Sequence, residues 1–140
     1  MIQRIQSLYL LFGAAFVVLF LVLNEGWQTT LAALYPWLTP AVFVIGGLGA
    51  LAALAAVFFY KDRARQRTII LAAQWLVLAL VLVLVGCLVA TTLDDAVVLT
   101  PTPFLYVTLL FPLVAYVMLR LARRGVEKDI ALVRSMDRLR

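Results

Sequence analysis

The stretch Lys61-Asp62-Arg63-Ala64-Arg65-Gln66-Arg67 (residues 61–67) lies near the middle of a chain of 140 residues, and we call it the basic pivot. No other Lys or Arg lies between residues 5 and 119. The sequence on both sides is strongly apolar: 66% of the chain is hydrophobic, 14% is charged, and the mean hydropathy is +1.08. So few polar residues cannot cover the surface of a water-soluble domain of this size. The pivot therefore divides a membrane protein into two halves.

Four apolar stretches are long enough to cross a bilayer core of about 30 Å, which takes roughly 20 helical residues. The predicted spans cover residues 7–23, 40–60, 68–90 and 103–121, and residues 122–140 form a basic tail. We expect a helix break at Gly125. Beyond it, Val126, Ile130 and Val133 recur at helical spacing. The predicted fold is all-α: a polytopic membrane protein with four transmembrane helices as two hairpins, plus a C-terminal amphipathic cytoplasmic helix.

The distribution of charge predicts which way the chain faces. Lys and Arg are retained on the cytoplasmic side of membranes. All 12 lie before the first span, in the pivot, or at and beyond the end of the fourth span. The charged residues of the two predicted outer connections are all acidic, namely Glu25, Asp94 and Asp95. We therefore expect both termini in the cytoplasm. Since topology accounts for the net charge of +5, we expect no nucleic-acid partner.

Several features of the spans and connections predict local structure. Thr39 is the expected N-cap of the second helix, with Pro40 at its first helical position. Trp27 and the other aromatic residues of the first outer connection are expected at the headgroup level. Gln74 is expected to hydrogen-bond to a neighbouring helix, and Pro112 to kink the fourth. A substrate contact at Gln74 and a gating role for Pro112 are the alternative interpretations. A stripe of small residues predicts close helix packing: Gly46, Gly47, Gly49, Ala50, Ala53 and Ala56.

The sequence predicts no catalytic, cofactor-binding or metal-binding residues. Histidine, the commonest general base and metal ligand, is absent. Cys87, the single cysteine, lies in an apolar run and is expected to pack as a small hydrophobic residue. Asp94 and Asp95 are adjacent, but a solvated acidic loop is the expected environment. We therefore predict neither enzymatic activity nor a cofactor.

The candidate contact residues are cations of the predicted cytoplasmic surface. They are expected to bind anionic lipid headgroups of the bilayer, at about 1 kcal/mol per nearby cation, or other membrane-protein subunits. The tail could lie on the inner leaflet, pack on the pivot of its own chain, or dock a partner. These candidates are Arg63, Arg65, Arg67, Arg123, Arg124, Lys128, Arg134 and Arg138.

The predicted function is that of a structural or accessory membrane protein, such as a small subunit or scaffold. The alternative is a small transporter or channel. A proton-coupled transport site needs an ionisable group at membrane depth, and none of the seven acids falls within a predicted span. A transport function is therefore the less favoured of the two hypotheses.

The chain also resembles a known family along its whole length. The resemblance is carried by residues 1–6 (MIQRIQ), 9–11 (YLL), 60–63 (YKDR) with Gln66, 128–129 (KD), 132–135 (LVRS) and 137–140 (DRLR). These segments are similar to a bacterial family of small four-helix inner-membrane proteins catalogued as a domain of unknown function. That family more often has Asn at the position of Asp62 and a basic residue at that of Glu127. The resemblance implies a bacterial inner (cytoplasmic) membrane and four spans, and brings no catalytic residue, cofactor or substrate.

Overall fold

The computed structural model describes residues 2–23, 25–93 and 103–137. This part of the chain forms helices α1 (Ile2–Val22), α2 (Glu25–Trp27), α3 (Leu38–Phe58), α4 (Arg63–Leu93) and α5 (Pro103–Asp137), with a π-helical turn (Gln28–Ala32) after α2. Helices α1, α3, α4 and α5 are each long and apolar enough to cross a membrane. The prediction of an all-helical chain with four such helices is therefore confirmed.

The four long helices form a closed ring. Both α1 and α4 pack against α3 and α5, so the order around the ring is α1, α3, α4, α5. Neighbours run antiparallel: Gly13 of α1 lies against Leu119 of α5, whereas Gln6, nearer the start of α1, lies against Gly125, nearer the end of α5. The pivot, the start of α1 and the end of α5 therefore share one end of the bundle, which we call the basic end.

The predicted grouping into two hairpins is not supported. The contact between α1 and α5, which belong to different predicted hairpins, is more extensive than the contact within either hairpin. A physical reason lies at Gly13, where an added Cβ would lie 3.1 Å from Leu119 Cδ2. Because glycine has no Cβ, α1 can approach α5 closely, and close approach is what favours helix association in lipid.

The predicted break at Gly125 is wrong, and the tail does not form a separate helix. Helix α5 continues through Gly125 to Asp137. Glycine breaks a helix mainly by adopting positive φ, and none of the glycines in the described ranges does so. Gly125 instead allows a close approach, because a Cβ there would lie only 2.8 Å from Gln6 Cγ.

Two predicted helix starts also differ from the structure. Helix α4 begins at Arg63 inside the basic pivot, because Asp62 acts as its N-cap: Asp62 Oδ1 accepts the backbone N–H of Arg65 at 3.1 Å. Helix α3 begins at Leu38, so Thr39 is not its N-cap, and Trp37 in that position makes no side-chain capping bond. Pro40 remains in the first turn, where its missing N–H has no intrahelical partner to lose.

The predicted stripe of small residues on α3 does pack against neighbours. Gly46 lies against Leu21 of α1, and Gly49 lies against Val77 of α4. Ala50, Ala53 and Ala56 are buried. Gly47 is the exception, because a Cβ at this position would meet nothing within 4 Å. The stripe therefore serves internal packing of the bundle.

The first outer connection folds over the end of the bundle opposite the basic end. Trp27 is fully buried, so its ring packs inside the protein, and its position at the headgroup level stays a prediction. Its ring stacks on Phe20, with centroids 5.8 Å apart, and meets Phe43 at 6.2 Å. Trp37, by contrast, stays 54% exposed. The difference arises because α2 and the π-helical turn place Trp27 and Leu31 in the same apolar cluster as Phe20.

Candidate functional site

A buried polar contact joins the two ends of the chain at the basic end. Gln6 Nε2 donates a hydrogen bond to Asp129 Oδ2 at 2.9 Å, and only 5% and 8% of these residues are exposed. Asp129 faces inward because it follows the buried Ala122 and Val126 at helical spacing on the uninterrupted α5. A hydrogen bond to a carboxylate contributes about 1.5–3 kcal/mol. We call this contact the Gln6–Asp129 link.

Two further contacts connect α4 to its neighbours at this end. Gln66 Nε2 donates to the Ala56 carbonyl of α3 at 3.1 Å, and Gln66 is buried. Arg63 Nη1 makes a long contact of 3.4 Å with the Asp129 carbonyl of α5. The polar groups that join the helices thus come from the two ends of the chain and the pivot.

Sequence reasoning missed Gln6, Gln66 and Asp129 as structural residues. Asp129 falls in the predicted basic tail, beyond the helix break expected at Gly125, and no inward position is predicted for it. Its spacing of three residues from Val126 and seven from Ala122 was the available signal for an inward position. All three residues lie in the segments that carry the family resemblance.

Glu127 forms ion pairs with an arginine from each of two helices. Its Oε1 lies 3.0 Å from Arg67 Nε of α4 and 3.5 Å from Arg123 Nε of α5. The second pair is close enough for charge attraction but is not aligned as a hydrogen bond, and Arg123 Nε is buried without a hydrogen-bond partner among the described residues. Because the Arg67 and Glu127 side chains are partly exposed, their pair adds well under about 1 kcal/mol of stability. Its main effect is to fix the position of Arg67.

The helices α4 and α5 enclose a groove at the basic end, which we call the α4–α5 groove. Its volume is about 840 Å³. Its lining residues are Ala64, Arg67, Thr68, Glu127, Ile130, Ala131, Arg134 and Ser135. A second hollow of about 690 Å³ is lined by Lys61, Asp62, Arg63, Ile130, Val133 and Arg134. Arg134 and Ile130 border both, so the two hollows are adjacent.

The structure brings some of the predicted contact residues together and separates others. Arg63, Arg67 and Arg134 line the two hollows, and Arg123 lies beside them through Glu127. Arg65 is exposed and pairs with Asp62 at 3.1 Å. Arg124 and Lys128 are exposed on α5 and line neither hollow. Arg138, like the Asp94–Asp95 pair, lies outside the described residues.

The chemistry of the groove suits an anion. Guanidinium groups bind phosphate and carboxylate oxygens through paired hydrogen bonds, and here they face apolar side chains and two hydroxyls. Within residues 2–23, 25–93 and 103–137, no group of three His, Cys, Asp or Glu side chains could hold a metal ion.

Gln74 lies inside the bundle and differs from its prediction. Its side chain is buried, but Oε1 has no hydrogen-bond partner in the part of the chain that the structure describes. Gln6 and Gln66 make the interhelical bonds that were expected of Gln74.

Replacing Gln74 by leucine is expected to raise the free energy of unfolding by about 1 kcal/mol, because it removes a buried acceptor that has no partner. Reversible unfolding by SDS in mixed micelles, followed by circular dichroism, measures this change. The matched variant Gln66→Leu is expected to lower the same quantity by about 1 kcal/mol, because Gln66 does have a partner. If both variants lower the free energy of unfolding by the same amount, the proposed difference between the unpartnered Gln74 and the hydrogen-bonded Gln66 is contradicted.

Comparison with known proteins identifies a family. A family model described as domain of unknown function (DUF4293) matches residues 2–139, which is nearly the whole chain. No curated protein and no solved structure matches the chain. Since the matched segment includes all the described helices and the groove, the chain belongs to the DUF4293 family.

Proposed function

We propose that this protein is a structural or accessory protein of the bacterial inner membrane, a small subunit or scaffold that presents its basic end to a partner. The observation that carries the proposal is that α5 does not leave the bundle after its apolar part. Its basic segment is held against α1 by the Gln6–Asp129 link, and it contacts the pivot through the Arg67–Glu127 pair and the contact of Arg63 with the Asp129 carbonyl. The cations are thereby fixed in one surface.

The lengths of the helices support a projecting surface. Helix α4 has 31 residues and α5 has 35, which corresponds to about 46 and 52 Å at 1.5 Å per residue. A bilayer core is about 30 Å thick. The charged segments of both helices lie at the basic end, so the excess length extends there into the headgroup region and the water beyond it.

The charge distribution supports a cytoplasmic position for the basic end. Lys and Arg are retained on that side during insertion, and the basic end holds the pivot and the charged segment of α5. Both termini are therefore proposed to be cytoplasmic. The proposal includes no reaction, no cofactor and no nucleic acid, because membrane topology by itself accounts for the positive charge of this end.

Arg124 and Lys128 are the predicted contact residues best placed for a protein partner, because they are exposed, line neither hollow and, unlike Arg65, make no ion pair with the described residues. The double variant Arg124→Glu/Lys128→Glu is expected to reduce, by about tenfold or more, the amount of a stoichiometric membrane-protein partner that is recovered from native membranes in mild detergent. Quantitative mass spectrometry of the purified complex measures the ratio. The charge-conserving exchange Arg124→Lys/Lys128→Arg should leave it unchanged.

Recovery of only the free protein from native membranes would contradict the accessory function. Orientation is measured separately with single cysteines in a Cys87→Ala background. An impermeant maleimide is expected to label Glu25→Cys in intact cells and Lys128→Cys only after lysis. The reverse pattern would contradict the proposed topology, whatever the outcome of the partner experiment.

A further inference from the structure

We propose that the α4–α5 groove binds the phosphate headgroup of an anionic phospholipid, with Arg67 and Arg134 as the phosphate-binding residues. This inference rests on the proposed function to the extent that the basic end must lie at a membrane surface. It goes further by naming a site, a ligand class and the residues that bind it.

The two arginines come from different helices and border the same space. Arg67 belongs to α4 and Arg134 to α5, and both line the groove. Arg67 contacts Glu127 at 3.0 Å, which directs its side chain toward α5 and partly restricts it before a ligand binds. Thr68 and Ser135 add hydroxyls to the lining. In this structure they donate hydrogen bonds within their own helices, to the carbonyls of Ala64 and Leu132. Rotation of these hydroxyls would let them donate to phosphate oxygens.

The charge of the groove fits a phosphodiester. Two cations face one carboxylate, Glu127, which leaves an excess of one positive charge. The adjacent hollow adds Lys61 and Arg63 against Asp62. The headgroup phosphate of a phospholipid such as phosphatidylglycerol carries a single negative charge, so binding neutralises the excess of the groove lining, while the adjacent hollow and Arg123 keep the surroundings positive.

The apolar side chains of the groove favour a lipid over a soluble anion. Ala64, Ile130 and Ala131 share the lining with the arginines. On the same segment of α5, Leu132 and Val133 are exposed by 54% and 42%, which is costly in water, so the apolar part of a lipid bound there would lower this cost by covering them. The volume of about 840 Å³ lies within the range for small-molecule sites. A headgroup with the first part of its acyl chains satisfies the charges and the apolar surface together.

Native mass spectrometry of the purified full-length chain in detergent micelles tests the proposal. Added phosphatidylglycerol is expected to remain bound at one copy per chain, with about tenfold higher affinity than phosphatidylcholine. The double variant Arg67→Gln/Arg134→Gln is expected to weaken phosphatidylglycerol binding by about tenfold or more. The matched control Arg124→Gln/Lys128→Gln removes the same charge from the same end outside the groove and should bind as the wild type does. Circular dichroism verifies that each variant remains helical.

Equal weakening in both double variants would overturn the proposal, because it would mean that overall surface charge attracts the lipid. Equal binding of the two lipids would also overturn it. Soluble glycerol phosphate should bind weakly or not at all, and saturation at a similar concentration would show a soluble anion site instead. If the double variant Arg67→Gln/Arg134→Gln unfolds, the single variant Arg134→Gln, at an exposed position, should still weaken binding. Cysteine labelling measures orientation independently, so failure of lipid binding and failure of the topology are distinguishable.

Discussion

Replacing Trp27 by alanine is expected to lower the free energy of unfolding by about 3–5 kcal/mol, because it removes a large side chain from a closely packed site. Trp27 is fully buried and stacks on Phe20, and the connection from α2 to the π-helical turn covers the bundle through this ring. Without it, that connection loses its ring contact with Phe20 of α1. Reversible SDS unfolding followed by circular dichroism measures the loss.

Two further variants make this prediction specific. Trp37→Ala removes a ring of the same size from an exposed position and is expected to change stability by less than about 0.5 kcal/mol. Trp27→Phe is expected to cost much less than Trp27→Ala, because a ring is kept and the lost Nε1 has no hydrogen-bond partner among the described residues. A comparable loss in Trp27→Ala and Trp37→Ala would show that Trp27 is not the anchor of this connection.

The second large effect is expected at Gly125. The variant Gly125→Ala should lower the free energy of unfolding by about 2–3 kcal/mol, because the overpacking cost of about 1–3 kcal/mol and the loss of the bond from Gln6 to Asp129 together exceed the helix-propensity gain of up to about 1 kcal/mol. The new Cβ would lie 2.8 Å from Gln6 Cγ, so the Gln6 side chain must move away. The same unfolding measurement gives the loss.

A matched variant and a double variant isolate the cause. Gly47→Ala places the same methyl group in open space on α3, where better helix propensity should raise stability by up to about 1 kcal/mol. In a Gln6→Ala background, Gly125→Ala should cost much less, because the residue with which it clashes is gone. If Gly125→Ala lowers the free energy of unfolding by the same amount in that background, the strain does not arise from the contact with Gln6.

The four spans and the position of the charges could be predicted because they depend on composition alone. Any apolar stretch of sufficient length must be helical in lipid, since its backbone groups have no other partners there. The extent of the helices could not be predicted in the same way. Gly125 was expected to end a helix, and only the position of Gln6 on another helix explains why glycine occurs within α5.

The candidate site was predictable as a set of residues but not as a geometry. The charge pattern selects Arg63, Arg67 and Arg134 together with cations such as Arg124 that line no groove. Which of them meet depends on the rotation of α5 about its axis and on its continuing as one helix past Gly125. Local spacing indicates which face of α5 points inward, but it does not indicate that the helix continues past Gly125 or which side chains of α4 lie beside it, because these follow from packing between residues far apart in the chain.

The Gln6–Asp129 link has a consequence for how the protein is made. Its partners are separated by 123 positions, so a ribosome releases Gln6 into the membrane long before Asp129 exists. Until then α1 has α3 beside it but lacks α5, its most extensive neighbour in the finished ring. Closure of the bundle is therefore a late event in biosynthesis, and a nascent chain that stops short of Asp129 leaves the Gln6 amide without its carboxylate.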